Sequence, residues 1–189
     1  MDSYFDIKAL PNPEIPPLTV VAHLMQQLHQ ILPKYAGEIG LDFPGYRKKQ
    51  GLGAVIRLLG THEALKRINE QVTNTPDIAG YGMITPLEQV PSSISKFARF
   101  SRVHMKGNSR LTRLKNRHLA RGTWTDELAM AAQGKFNEVI DFPYVNLRSG
   151  STGQHFNLFI SRVTVKHPID GTFNGYGLSI DNLATVPQF

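Results

Sequence analysis

The stretch SYFDIKALPNPEIPPLTVVAHLMQQLHQILPKY, Ser3 to Tyr35, decides how the first half of the chain folds. Tyr4 to Leu10 reads as a strand. Pro11, Pro13, Pro16 and Pro17 end it, because proline has no N–H for a ladder and a fixed φ. From Leu18 to about Tyr35 the pattern becomes helical: Val21, Leu24, Met25, Leu28, Ile31 and Leu32 recur at spacings of three and four and make one apolar stripe. His29 lies at the edge of that stripe, where its ring faces either solvent or a cleft.

Working outward, Ile39, Leu41 and Phe43 alternate up to Pro44, and Ala54 to Leu59 reads as the next strand beyond the loop YRKKQGLG. Thr61 caps a second helix with Leu65, Ile68 and Val72 on one face, and Ala79 to Ile84 supplies a last strand. The order βαββαβ predicts a ferredoxin-like sandwich, two helices on one face of a four-stranded antiparallel sheet. TPLEQVPSS, Thr85 to Ser93, reads as a linker, so the expected fold class is α+β with a ferredoxin-like domain over residues 1–92. A smaller α+β domain is expected over residues 93–189. It should hold a basic strand around Phe97 to Met105, an arginine-rich helix from about Ser109 to Arg121, a short helix opened by Thr125, and strands near Tyr144 to Arg148, His155 to Val165 and Thr172 to Leu178.

The charge is local. Of 21 Lys and Arg residues, nine lie between Lys96 and Arg121, and no Asp or Glu occurs between Glu88 and Asp126. Elsewhere 12 bases face 15 acids. A single positive patch suits a polyanion, because each phosphate neutralised releases condensed counterions. Zero cysteines exclude disulfides, thiolate zinc sites and a cysteine nucleophile. None of the seven histidines stands in HExxH or a comparable ligand spacing, so no metal is expected, and GLGAVI at Gly51 lacks the third glycine of a dinucleotide fingerprint, so no cofactor is either. The start lacks the basic and apolar regions of a signal peptide, and no apolar run approaches the ~20 residues of a membrane span. A cytoplasmic, unprocessed protein is expected.

On a helical wheel Arg110, Arg113, Arg117 and Arg121 fall in one narrow sector, with Leu111, Leu114 and Leu119 to one side. At 1.5 Å per residue this rail is ~17 Å long, comparable to several successive phosphates. The helix itself carries no acid to pair with them. The run LRSGSTGQHFNLFI, Leu147 to Ile160, follows in sequence: Ser149 and Ser151 share a side if extended, and Gly150 and Gly153 permit close backbone approach. GxSxG is not matched, so this is no serine-hydrolase elbow. Phe156 reads either as core or as a base-stacking ring, and Tyr176 in FNGYGLS as core or turn.

MDSYFDI, LHQIL around His29, SRVHMK at Ser101 to Lys106, LRSGSTGQHFNLFI, GYGLS and the closing Pro187 and Phe189 together give a chain that resembles the CRISPR repeat-processing endoribonuclease of subtype I-F systems. The resemblance spans essentially the whole chain. It implies metal-independent cutting of a CRISPR repeat RNA hairpin at the 3′ base of its stem, leaving a 2′,3′-cyclic phosphate, with the guide RNA retained among the other subunits of a type I-F surveillance complex. By the same resemblance His29 transfers protons, Ser149 positions the ribose 2′-hydroxyl and Tyr176 orients His29. Arg102 would read a guanine near the stem base and Phe156 would stack on the terminal base pair. The implied RNA-binding set is completed by His104, Lys106, Arg110, Arg113, Lys115, Arg117, Arg121, Ser151 and Gln154. Two departures stand out. Where the family has glutamine this chain has His104, whose imidazole lacks the amide's paired donor and acceptor for adenine. The basic helix is also shorter and less arginine-rich, with Lys115 and Asn116 in its middle. The alternative reading is a non-catalytic RNA-hairpin-binding subunit of a ribonucleoprotein, which would need the rail and Phe156 but be indifferent to Ser149 and Tyr176.

Overall fold

The computed structural model describes residues 1–35, 37–104 and 108–189, with the side chains of 108–111, 133 and 135–140 outside the description. In order the first half gives β1 (Ser3–Ala9), α1 (Pro17–Ile31), β2 (Gly40–Asp42), β3 (Val55–Gly60), α2 (His62–Thr73), a short α3 (Pro76–Ala79), β4 (Gly82–Ile84) and β5 (Glu88–Gln89). The apolar stripe expected on α1 is buried: Val21, Leu24, Met25, Leu28 and Ile31 all lie in the core. The helix starts at Pro17, whose missing N–H costs nothing at a first turn. It tightens into a 3-10 turn over Leu32–Tyr35, where Pro33 cannot donate to the α ladder. Thr61 caps α2 as expected, its Oγ1 accepting from the Ala64 N–H at 3.3 Å. The last strand is shorter than the sequence reading, because Thr75 and Pro76 open a helical turn that takes up Ala79.

The strands pair antiparallel in the order β2-β3-β1-β4, and β5 joins β1 through Ser3 and Tyr4. The presumed linker is therefore partly stitched to the first sheet. The second half gives β6 (Phe97–Val103), α4 (Asn108–Ala120), α5 (Asp126–Ile140), β7 (Tyr144–Arg148), β8 (His155–Val165) and β9 (Val186–Pro187), with sheet order β7-β8-β6-β9. The overall class is thus mixed α+β with two antiparallel sheets. Thr125 does open α5, its Oγ1 accepting from the Leu128 N–H, but the helix runs for 15 residues rather than being short. Among the described residues no helix is long and apolar enough to cross a membrane.

A further expectation is corrected. Thr172 to Leu178 is a turn rather than a strand, with a single bridge between Phe173 and Ser179. The cause is Asn174, whose Oδ1 accepts from the N–H groups of both Tyr176 and Leu178, at 2.8 and 3.2 Å, in place of a ladder partner. Gly177 completes the turn at φ +68°, where a side chain is disfavoured.

One apolar cluster runs through both halves. Phe100 of β6 meets Phe43 and Tyr46 edge-on, at ring separations of 5.4 and 5.9 Å, and the Tyr46 hydroxyl donates to the Ile160 carbonyl at 3.1 Å. The last residues return to the first sheet. Arg57 on β3 grips Asp6 on β1 through Nε at 2.8 Å and Nη2 at 3.2 Å, and donates from Nη1 to the Phe189 carbonyl. The rings of Tyr4 and Phe189 lie 4.7 and 4.2 Å from that guanidinium. Asp42, directly across from Arg57 on β2, is 1% exposed.

Burial pushes the Asp42 carboxyl above the ordinary value of 3.8, against the pull of the Gln188 amide and the charge of Arg57. Folding then takes up a proton here between 3.8 and the raised value, so this residue's contribution to stability grows as pH falls through that window. Melting curves of the wild type and Asp42→Asn should accordingly diverge in favour of the wild type as pH is lowered from about 7 to about 4. A difference that stays flat over that range would contradict the assignment.

Candidate active site

His29 sits on the last turn of α1, and its position follows from the stripe beside it. With Leu28 fully buried, the next residue comes to the helix edge, half-buried. There its Nδ1 lies 2.7 Å from the carbonyl oxygen of Gly175. A carbonyl only accepts, so Nδ1 carries a hydrogen, and in the neutral ring the lone pair is the one on Nε2. The Tyr176 ring lies flat on the imidazole, with centroids 3.9 Å apart and planes 11° from parallel. Tyr176 is held there by the turn that Asn174 shapes and by the Leu41 N–H of β2, which donates to the Gly177 carbonyl at 2.8 Å.

Arg102, half-buried near the end of β6, reaches the same place. Its guanidinium carbon is 5.8 Å from the Tyr176 ring centre and 5.5 Å from that of Phe156, itself half-buried on β8. Arg102, His104 and Tyr176 line one open groove of about 390 Å³ together with Asn174, Asp181 and Asn182. Asp181 and Asn182 adopt left-handed φ values of 53° and 55°, a conformation these residue types tolerate better than most. A larger cleft of about 960 Å³, lined by Asp2, Ser3, His62 and Asp170 among others, contains none of the candidate catalytic or RNA-binding residues.

Ser149 belongs to the turn joining β7 to β8. Its N–H donates to the Gln154 carbonyl at 2.8 Å, its carbonyl accepts from Gly153, and its Oγ accepts from the Thr152 N–H at 3.3 Å. The Ser149 and Ser151 hydroxyls are 3.2 Å apart, brought together by this turn and not by an extended chain. The turn is tied to α1 by the Arg148 N–H, which donates to Gln26 Oε1 at 2.8 Å. Gln26 precedes His29 by one helical turn and shares its face. Ser151 and Gln154 are exposed.

On α4 the side chains of Arg113, Lys115 and Arg117 are exposed, as is Arg121 just past its end. Gly122 ends the helix at φ +65°, and the Thr123 N–H donates to the His118 carbonyl at 2.9 Å. Lys106 and the side chain of Arg110 lie outside the described residues. Three participants escaped the sequence reading: Gln26, Asn174 and the Gly175 carbonyl. The Asn-Gly pair was a turn signal, but nothing in the sequence says that the carbonyl after it meets a histidine 146 positions earlier.

Residues 4–189 match the family described as CRISPR-associated protein (Cas_Csy4). A curated relative, the CRISPR-associated endonuclease Cas6/Csy4 of Escherichia coli (strain UTI89 / UPEC), is 35% identical over 194 residues, covering 100% of both chains. The protein of the same name from Pseudomonas aeruginosa (strain UCBPP-PA14) is 32% identical over 95% of this chain and 96% of its own. A solved CRISPR endoribonuclease Cse3 bound to 19 nt RNA aligns with 99% of this chain at 14% identity and a TM-score of 0.36, a distant likeness. The class is therefore that of CRISPR-associated proteins. Within it, the chain belongs to the Cas6/Csy4 endonuclease family.

The Gly177 position offers a test of how the site is held. An added Cβ would run into Leu41 Cγ, at a φ that itself costs a side chain about 1–2 kcal/mol. Overpacking adds about 1–3 kcal/mol. Gly177→Ala should thus lower the melting temperature by about 5 °C or more. An unchanged melting temperature would mean that the turn does not depend on this contact.

Proposed function

We propose that this protein recognises a hairpin in the repeat of a CRISPR transcript and cuts it at the 3′ base of the stem without a metal. The observation that carries this reading is the His29 imidazole, fixed by the Gly175 carbonyl at one nitrogen and by the Tyr176 ring on one face. Such fixing leaves Nε2 as the nitrogen for proton transfer. In the reaction the ribose 2′-oxygen bonds to the adjacent phosphorus as the bond to the 5′-oxygen breaks. A proton leaves the 2′-hydroxyl and one reaches the 5′-oxygen, and the products are a 2′,3′-cyclic phosphate and a 5′-hydroxyl. His29 takes part through Nε2, Tyr176 orients it, and the Ser149 hydroxyl positions the 2′-hydroxyl.

Recognition uses the second half. Arg102, held near two aromatic rings, presents its fork to a guanine O6 and N7, and Phe156 stacks on the terminal pair of the stem. His104, in the same groove, meets a neighbouring base with a single donor or acceptor. Arg113, Lys115, Arg117 and Arg121, with Lys106 and Arg110, lie along the stem's phosphates, and Ser151 and Gln154 contact the strand at the cut. Residues 1–92 supply the histidine on a ferredoxin-like frame, and residues 93–189 supply the RNA contacts. That frame is supported by the strand order β4-β1-β3-β2 and by α1 and α2 touching each other and β1. The cut product stays bound as guide RNA within a type I-F surveillance complex in the cytoplasm.

The deciding experiment incubates the protein with its repeat hairpin in excess EDTA, beside a hairpin carrying one 2′-deoxy nucleotide at the cut site. Cleavage of the first RNA and not the second is expected. Cleavage of both would rule out attack by the 2′-hydroxyl, and tight binding with neither cut would favour a non-catalytic hairpin-binding subunit.

A further inference from the structure

Beside the Ser149 turn, the outward face of β7 and β8 carries a polar ladder that the reading above does not use. Along β7, Tyr144, Asn146 and Arg148 are exposed while Val145 and Leu147 are buried. Their register partners on β8 are Phe159, Asn157 and His155, so all six residues share one face. Asn146 Nδ2 donates to Asn157 Oδ1 at 2.9 Å, and His155 Nδ1 donates to Asn146 Oδ1 at 3.1 Å. Cross-strand asparagine pairs do stabilise sheets. This chain of bonds goes further, because it is directional and open at both ends.

With Nδ1 donating, the neutral His155 ring has its acceptor at Nε2, and with Oδ1 accepting, Asn157 keeps its Nδ2 donors. Neither end has a protein partner among the described residues. An acceptor and a donor are thus held a short distance apart on an exposed strand surface. At one end of the ladder lies Tyr144, 49% exposed, its ring tilted against Phe159 at 5.1 Å. At the other end Arg148 Nε donates to the Gly153 carbonyl, which keeps the guanidinium over the turn that bears Ser149. Cation, amide and aromatic ring in a line of about 13 Å is the chemistry of a single-stranded RNA track: charge for phosphate, amide for base edge or ribose, ring for stacking.

We propose that the β7–β8 face binds the unpaired nucleotides that adjoin the stem at the cleavage site. Tyr144 stacks on a base, and His155, Asn146 and Asn157 contact base edges or ribose. This rests on the hairpin reading and extends it, because the track begins at Arg148, next to Ser149. It also makes affinity depend on the sequence just outside the hairpin, through groups that play no part in proton transfer.

The test measures the dissociation constant of the full chain for three RNAs carrying a 2′-deoxy nucleotide at the cut site: the bare hairpin, the hairpin with a short single-stranded 3′ flank, and the hairpin with a short 5′ flank. One flank should tighten binding by about 5-fold or more, the effect of one stacked base. The flank that does so identifies the strand. Tyr144→Ala and Asn157→Ala should each lose most of that gain and bind the bare hairpin as the wild type does. The proposal is overturned if neither flank helps the wild type while the hairpin binds tightly, or if the variants weaken all three RNAs equally. Failure of the wild type to bind any hairpin would overturn both this proposal and the function it extends.

Discussion

The pairing of His29 with Tyr176 depends on one short contact, the Leu41 N–H donating to the Gly177 carbonyl at 2.8 Å. β2 is an edge strand of the first sheet, so its outer groups need a partner that is not another strand. The returning turn provides it. Because Gly177 has no side chain, the two backbones approach closely enough for Tyr176 to lie on the imidazole of His29 and for the Gly175 carbonyl to meet Nδ1. A histidine from the first half and a tyrosine from the second thereby become one unit.

The packing around this contact keeps it from being a hinge. Phe100 wedges against Phe43 and Tyr46, the Tyr46 hydroxyl holds Ile160, and Arg57 clasps Phe189 against the first sheet. These contacts pack the second half against the first through Phe100, Tyr46 and Arg57. The proton-transfer role proposed for His29 needs such a setting, since small displacements of a reacting group cost large factors in rate.

Legibility in the sequence followed the range of the interaction. The α1 stripe, the Thr61 cap, the β7 and β8 strands and the exposed basic residues of α4 are local patterns, set by side chains within a few positions of one another. Residues 172–178 were misread as a strand because Thr172, Phe173 and Tyr176 favour one, whereas the turn is imposed by the Asn174 side chain and by docking on Leu41. Gln26 was invisible for a related reason. Its link to Arg148 spans 122 positions, and a glutamine on a helix surface has no pattern of its own. The family resemblance indicated His29, Ser149 and Tyr176 together, but the bonds that hold the histidine and the tyrosine are tertiary.

The measurement that tests the central claim most directly compares cutting and binding of the repeat hairpin by the wild type and His29→Ala. If Nε2 of the fixed imidazole moves the proton, the variant should cut about 10²- to 10⁴-fold more slowly while its affinity for a non-cleavable hairpin stays within a few-fold of the wild type. Cutting at an undiminished rate, or a loss of binding as large as the loss of cutting, would contradict the account.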